Sequence, residues 1–228
     1  EAANPYYEAL PDVVESCMDQ INEITGRNYK LFNYYGSPEA ETVLVGMGSV
    51  TGTIQETIDY LVAQGKKVGY LEVHLFRPFS PKHFFHELPD TVKKITVLDR
   101  DKEAGAVGEP LFEEICSVLQ DSGSPIKAYA CRFGLASKDT TPAQIVAMYE
   151  NMGAKEPRNH YTIGIVDDVT HHSIPYGQEL DIIPKGTVSC KFWGLGSDGT
   201  VGANKNTIKI IGDHTDMYVQ AYFEYDGK

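Results

Sequence analysis

Between residues 40 and 155 the chain alternates short apolar runs with amphipathic stretches of helical length, and this alternation limits the possible folds more than any other feature of the 228 residues. The run Thr-Val-Leu-Val-Gly over 42–46 has no polar face, as expected of a strand buried on both sides. A glycine-rich turn follows over 46–53, then a helix is predicted over 54–64, stopped by Gly65. Residues 67–75 read as a second strand. The segment Arg77-Pro78-Phe79-Ser80-Pro81 breaks it and opens a short helix over 83–88. Residues 95–99 form the third strand, 100–108 a charged loop, and 110–119 a helix with proline at its start. A fourth strand spans 126–132, and Thr141-Pro142 opens a last helix reaching Met152. Strands separated by helices of this length predict a mainly parallel sheet with helices on both faces, a complete α/β domain.

The flanks read differently. Residues 1–39 are expected to be an N-terminal helix and a linker: Val14, Met18, Ile21 and Ile24 recur at helical spacing, Pro11 suits a first turn, and Gly26 is a stop. Residues 156–185, rich in proline and glycine, read as a linker with a possible strand over 161–166. A second α/β unit is expected over 186–228, with strands over 188–193 and 217–225 and a helix-compatible stretch over 206–212. Only the first part of that unit is expected to be present.

Bulk composition narrows the function classes. Hydrophobic residues at 42% and charged residues at 23% are ordinary for a globular protein. A net charge of −12 argues against nucleic acid or an anionic membrane surface as a main partner. It does not exclude a small anion held by a local cationic loop, because screening confines that field to about 10 Å. No apolar run approaches the roughly 18 residues of a membrane span. The N-terminus lacks an initiator Met and a signal pattern, and the chain is expected to be a piece of a longer polypeptide at both ends. Cys17, Cys116, Cys131 and Cys190 show no CxxC pairing, which suits small apolar packers in a reducing cytosol rather than zinc or iron–sulfur ligands.

The strongest candidate site is the segment after Val188–Trp193, where Gly194, Gly196, Gly199 and Gly202 are followed by Lys205. A glycine loop leading into a helix turns backbone N–H groups and a helix N-terminus toward one point, a device for holding phosphate. Thr200, Asn204 and Lys205 add donors suited to oxyanions. The G-x-G-x-x-G triplet alone leaves three readings open: a site for some other phosphorylated ligand, a nicotinamide dinucleotide-binding dehydrogenase domain, or a non-catalytic scaffold with structural turns. Asp198 fits a dinucleotide poorly, only Glu224 or Asp226 offers a ribose clamp, and the Gly-Lys-Ser/Thr ending of a P-loop is missing.

Other clusters read as structural. Gly46-x-Gly48 with Ser49, Thr51 and Thr53 is expected to cap a helix. His74, Arg77, His83 and His86 are irregularly spaced with no Cys or paired carboxylate, which suits a surface or interface. His171-His172 belongs to the linker, and Asp99–Glu103 reads as a solvated loop. No nucleophile–base arrangement stands out, so the chain reads as a binding and scaffolding region.

The stretch Trp193-Gly-Leu-Gly-Ser-Asp-Gly-Thr-Val-Gly-Ala-Asn-Lys-Asn-Thr-Ile-Lys-Ile-Ile-Gly212 resembles the pyruvate:ferredoxin (flavodoxin) oxidoreductases. The runs Val43-Leu-Val-Gly-Met-Gly-Ser49, Glu72-Val-His-Leu-Phe-Arg-Pro-Phe79 and Val97-Leu-Asp-Arg-Asp-Lys-Glu103 are similar to that family's second domain, itself similar to the C-terminal domain of transketolase. The resemblance implies a transketolase C-terminal-like α/β domain over 40–155 and the truncated start of a Rossmann-like coenzyme A-binding domain over 186–228. It implies a parent enzyme that oxidises pyruvate on thiamine diphosphate and passes electrons through iron–sulfur clusters to ferredoxin or flavodoxin. The acetyl unit goes to coenzyme A. Thiamine diphosphate and the clusters would lie outside this chain, in a cytoplasmic homodimer. The implied coenzyme A contacts are Gly196, Ser197, Asp198, Gly199, Thr200 and Val201, with Lys228; Lys205 joins them as a cation suited to phosphate. No catalytic residue and no metal ligand are expected here.

Overall fold

The apolar runs pair as their two-sided burial demands. In the computed structural model, which describes residues 1–225, strands β2 (Thr42–Gly46), β3 (Val68–Val73), β4 (Lys94–Asp99) and β5 (Lys127–Arg132) form the parallel centre of a sheet. With β1 (Phe32–Gly36) and β6 (Tyr161–Thr162) the sheet has six strands in the order β1-β3-β2-β4-β5-β6. Val45 faces Leu71 on one side and Val97 on the other. Helices α2 (Thr51–Ala63), α3 (Pro81–Glu87), α4 (Pro110–Asp121) and α5 (Pro142–Gly153) lie between the strands in sequence.

Alternate residues of each strand feed two separate cores. Val43, Val45, Leu71, Ile95 and Val97 pack with Phe84 of α3 and Leu111 and Ile115 of α4. Leu44, Tyr70 and Leu98 pack on the other face with Ile54 and Ile58 of α2 and Ile145 and Met148 of α5. A period of two through strands covered on both faces produces this division. The α/β class with a largely parallel sheet is as the alternation predicts.

Three differences from the sequence reading have physical causes. Residues 32–36, expected within a linker, are the sheet strand β1, antiparallel to β3, with Gly36 opposite Gly69. A Cβ on Gly69 would collide with the Tyr34 ring, so the glycine makes room for the aromatic that covers it. Helix α1 (Asn4–Thr25) starts before Pro11, with Pro5 in its first turn; Pro11 is interior and is the residue α1 buries. Gly26 ends α1 in the left-handed region at φ +69°, its N–H donating to Asn22 O at 2.8 Å. The possible strand over 161–166 is formed only as the two-residue β6, but it extends the sheet beside Cys131 and Arg132; Ser173 bridges to Thr162, and Tyr161, Ile163 and Ile174 are buried.

The chain divides into two compact units, Glu1–Ile182 and Ile183–Lys228. In the second, the secondary structure among the described residues is helix α6 (Thr200–His214), which buries no residue. The strands expected over 188–193 and 217–225 are not formed there. Their alternation supplies a side-chain pattern, but a strand also needs a neighbouring backbone for its N–H and C=O groups. Among the described residues, no helix is long and apolar enough to cross a membrane.

Candidate functional site

The glycine segment of the second unit is a tightly braced loop opening onto α6. Gly196 and Gly199 sit at φ +82° and +86°, a region that side chains with a Cβ rarely adopt, and Ser197 joins them at +51°. Gly194 is required for space instead, since a Cβ there would lie 2.5 Å from Thr200 Oγ1 and 2.9 Å from Asp198 Oδ2. Gly202, in the first turn of α6, has neither reason: open space lies where its side chain would be.

Asp198 points inward to the loop backbone. Its Oδ2 accepts the Leu195 N–H at 2.9 Å and its Oδ1 accepts the Thr200 N–H at 3.0 Å. These bonds, that from Thr200 foremost, hold its carboxyl below the usual aspartate range. Among the described residues no acceptor meets the N–H groups of Val201 and Gly202. They form part of the donor-rich end of a 15-residue helix, where the macrodipole favours an anion. Lys205 is exposed, with Nζ 5.8 Å from the centroid of Phe223. Gly196, Ser197, Asp198, Gly199, Thr200, Val201 and Lys205 are thus gathered around one helix start. Lys228 and Asp226 lie outside the described residues.

The first unit carries a second concavity. Strands β3 and β4 lie on opposite sides of β2, so the chain reverses direction across the sheet between β2 and β4. In open parallel sheets a crevice forms beyond the strand ends at such a point. Here a cleft of about 220 Å³ is lined by Met47, Leu98, Asp99, Arg100, Pro110 and Phe133, among others. Asp99, expected in a solvated loop, is 8% exposed and accepts the N–H groups of Leu111 and Phe112 at 3.0 and 3.1 Å. It satisfies two donors of the α4 N-terminus. Burial pushes its carboxyl up to about 6, against the pull of those two hydrogen bonds.

The turn after β2 does not cap α2 as expected. Its N-cap is Val50, with no side-chain cap, and Thr51 Oγ1 instead donates to Glu72 Oε1 of β3 at 2.8 Å. The four residues His74, Arg77, His83 and His86 do not converge. Arg77 pairs with Glu114 at 3.0 Å, His74 lies 3.5 Å from Glu72, and His86 is exposed. His83 is buried, and a pair of carboxylates does approach it: its Nε2 lies 3.3 Å from Glu15 and 3.9 Å from Asp12 of α1. Spacing around the histidines held no trace of this, because the acids lie some 70 residues upstream; their i, i+3 placement on one helix is the signal.

Fold and site together define a mostly parallel α/β unit accompanied by a glycine loop that opens onto a helix. Residues 40–145 match the family model described as pyruvate:ferredoxin oxidoreductase core domain II. The chain is 55% identical over 228 residues to the pyruvate:ferredoxin oxidoreductase of Moorella thermoacetica, covering 100% of this chain and 20% of that protein. It is 54% identical over 229 residues to the pyruvate-flavodoxin oxidoreductase of Enterobacter agglomerans, with the same coverage. Among solved structures, a 2-oxoglutarate:ferredoxin oxidoreductase from Magnetococcus marinus aligns at TM-score 0.41 and 24% identity over 54% of this chain and 19% of that one. The chain is therefore similar throughout to one region of the pyruvate:ferredoxin and pyruvate-flavodoxin oxidoreductases, and spans 20% of the length of these relatives.

Proposed function

We propose that the chain is part of an enzyme that oxidatively decarboxylates pyruvate, and that its own share is to grip coenzyme A at the start of α6. The full-length similarity to pyruvate:ferredoxin and pyruvate-flavodoxin oxidoreductases supports the reaction. On this reading, thiamine diphosphate and iron–sulfur clusters elsewhere in the parent protein, a homodimer, supply the redox chemistry, and ferredoxin or flavodoxin takes the electrons.

The observation that carries the local assignment is the pair of N–H groups at Val201 and Gly202 that no acceptor among the described residues meets, beside the open space at Gly202. A diphosphate oxygen reaches those donors because no side chain stands at 202. Lys205 lies three and four residues further on, over the same helix face, and adds a cation for a second phosphate oxygen. Asp198 is spent bracing the loop through Leu195 and Thr200, so its negative charge is partly offset by two N–H dipoles. The site binds and orients; gripping the nucleotide end of a long acyl carrier raises the local concentration of its thiol.

The test uses the full-length holoenzyme. Gly202→Val places a branched side chain where the phosphate would approach, without disturbing a left-handed residue. Coenzyme A affinity should fall on the order of tenfold or more, while coenzyme A-independent release of CO2 from pyruvate is retained. Lys205→Ala should weaken binding more at low salt than at high salt. Unchanged coenzyme A affinity in both variants would overturn the assignment.

A further inference from the structure

The side chains of Asp12, Glu15 and His83 converge on one point, and we propose that they form a binding site for a zinc-class divalent cation that clips α1 to α3. Their nearest ligand atoms all lie within 4.8 Å of one another. In a tetrahedral zinc site with bonds of roughly 2.0–2.2 Å, neighbouring ligand atoms stand roughly 3.3–3.6 Å apart. Here His83 Nε2 lies 3.3 Å from Glu15 Oε2 and 3.9 Å from Asp12 Oδ1. Both carboxylates are accessible, with side-chain exposures of 69% for Asp12 and 48% for Glu15, and small rotations bring them to coordination distance.

His83 itself points to a ligand. The residue is 7% exposed, yet its Nε2 makes no hydrogen bond among the described residues. The other ring nitrogen is engaged: Nδ1 lies 2.6 Å from the buried Ser80 Oγ. With the ring hydrogen on Nδ1 donating to Ser80, Nε2 turns a lone pair toward two carboxylates. Three electron-rich groups facing one another repel unless a cation sits between them. A metal-bound histidine oriented by a hydrogen bond at its other nitrogen has this form. One imidazole among the ligands selects zinc-class ions over magnesium or calcium, which take oxygen ligands alone.

A clip here answers a mechanical need. Helix α1 runs for 22 residues and fully buries Pro11 alone, with Val14 and Met18 only partly buried against the core, so a clip at Asp12 and Glu15 reinforces a shallow apolar contact. One competitor is present: Lys82 Nζ lies 3.3 Å from Asp12 Oδ1 and repels an incoming cation. Lys82 is 74% exposed in its side chain and free to swing away.

The test titrates the 228-residue chain with Zn²⁺ against a chromogenic chelator, after the exposed thiols of Cys17 and Cys190 are alkylated. One equivalent should bind, and an excess of Mg²⁺ should leave it in place. Asp12→Asn combined with Glu15→Gln, both on accessible side chains, should weaken binding on the order of tenfold or more. Lys82→Gln should tighten it, an effect no structural role for an exposed lysine produces. Bound Zn²⁺ should also slow amide exchange around residues 12–15. Equal Zn²⁺ affinity in the double carboxylate variant and the parent, or no tightening by Lys82→Gln, would overturn the site and leave a histidine–carboxylate contact.

Discussion

Asp99→Asn should change how the stability of the first unit depends on pH, in a direction fixed by the cleft geometry. The carboxyl is buried, accepts two amide N–H groups and is pushed up to about 6 in the folded chain. An unfolded aspartate titrates near 3.9. Between about 4 and 6 the folded chain therefore holds a proton that the unfolded chain has released. Stability from this group rises as pH falls through 6, is complete below about 4, and is lost as pH rises back through the folded value. At about 1.36 kcal/mol per pH unit, a gap of roughly two units corresponds to about 1 to 3 kcal/mol.

Asparagine does not titrate, so the parent-minus-variant difference should grow by about that amount in favour of the parent between pH 7 and 4. At pH 7 two effects oppose each other. The variant sheds a desolvated charge, but its single amide oxygen satisfies one of the two helix donors, leaving a difference within about 2 kcal/mol. Urea unfolding followed by far-UV circular dichroism is the suitable assay, because the chain's one tryptophan, Trp193, lies outside Glu1–Ile182. Other carboxylates, such as Asp167 with its lowered value, contribute to both proteins and cancel in the difference. A difference constant to within about 0.5 kcal/mol from pH 7 to 4 would refute the reasoning.

Three further outcomes are expected. Tyr149→Phe removes a buried hydroxyl that donates to Gly69 O at 2.8 Å and should cost about 1 kcal/mol in urea unfolding. Gly69→Ala drives a Cβ into the Tyr34 ring and should cost about 1–3 kcal/mol; the same change in a Tyr34→Ala background should cost measurably less, since the collision is gone. Leu44→Ala, at a fully buried position of β2, should cost about 2–5 kcal/mol, and a loss below about 1 kcal/mol would show that the core collapses around it.

What was legible in the sequence follows from what each element buries. Strands β2 to β5 announce themselves because helices cover both faces, and runs such as Val43-Leu44-Val45 leave no polar alternative. Strand β1 does not: Phe-Asn-Tyr-Tyr-Gly is half polar, and its place depends on Tyr34 packing over a glycine some 35 residues later. The reverse error came over 188–193 and 217–225, where real alternation exists without a partner strand among the described residues.

Candidate groups divided in the same way. The glycine loop was readable because left-handed backbone at Gly196 and Gly199 is a local demand. Whether Asp198 faces outward or braces the loop was not, since that depends on where the Leu195 and Thr200 amides point. Asp99 read as solvated because it heads the charged run Asp99–Glu103, whose other members are indeed exposed. Only the docking of α4 against the end of β4 buries it.

The two borders of the sheet bear on how this unit avoids sticking to others. At one border β1 runs against its neighbour's direction, and Lys30 and Asn33 stand exposed or half-exposed near its start. At the other, β6 offers a pairing rail of two residues, and Thr162 already bridges to Ser173 beyond it. A foreign strand seeking to extend the sheet on that side finds almost no unclaimed backbone, a truncation that guards against amyloid-like growth without spending any charged residue on the task.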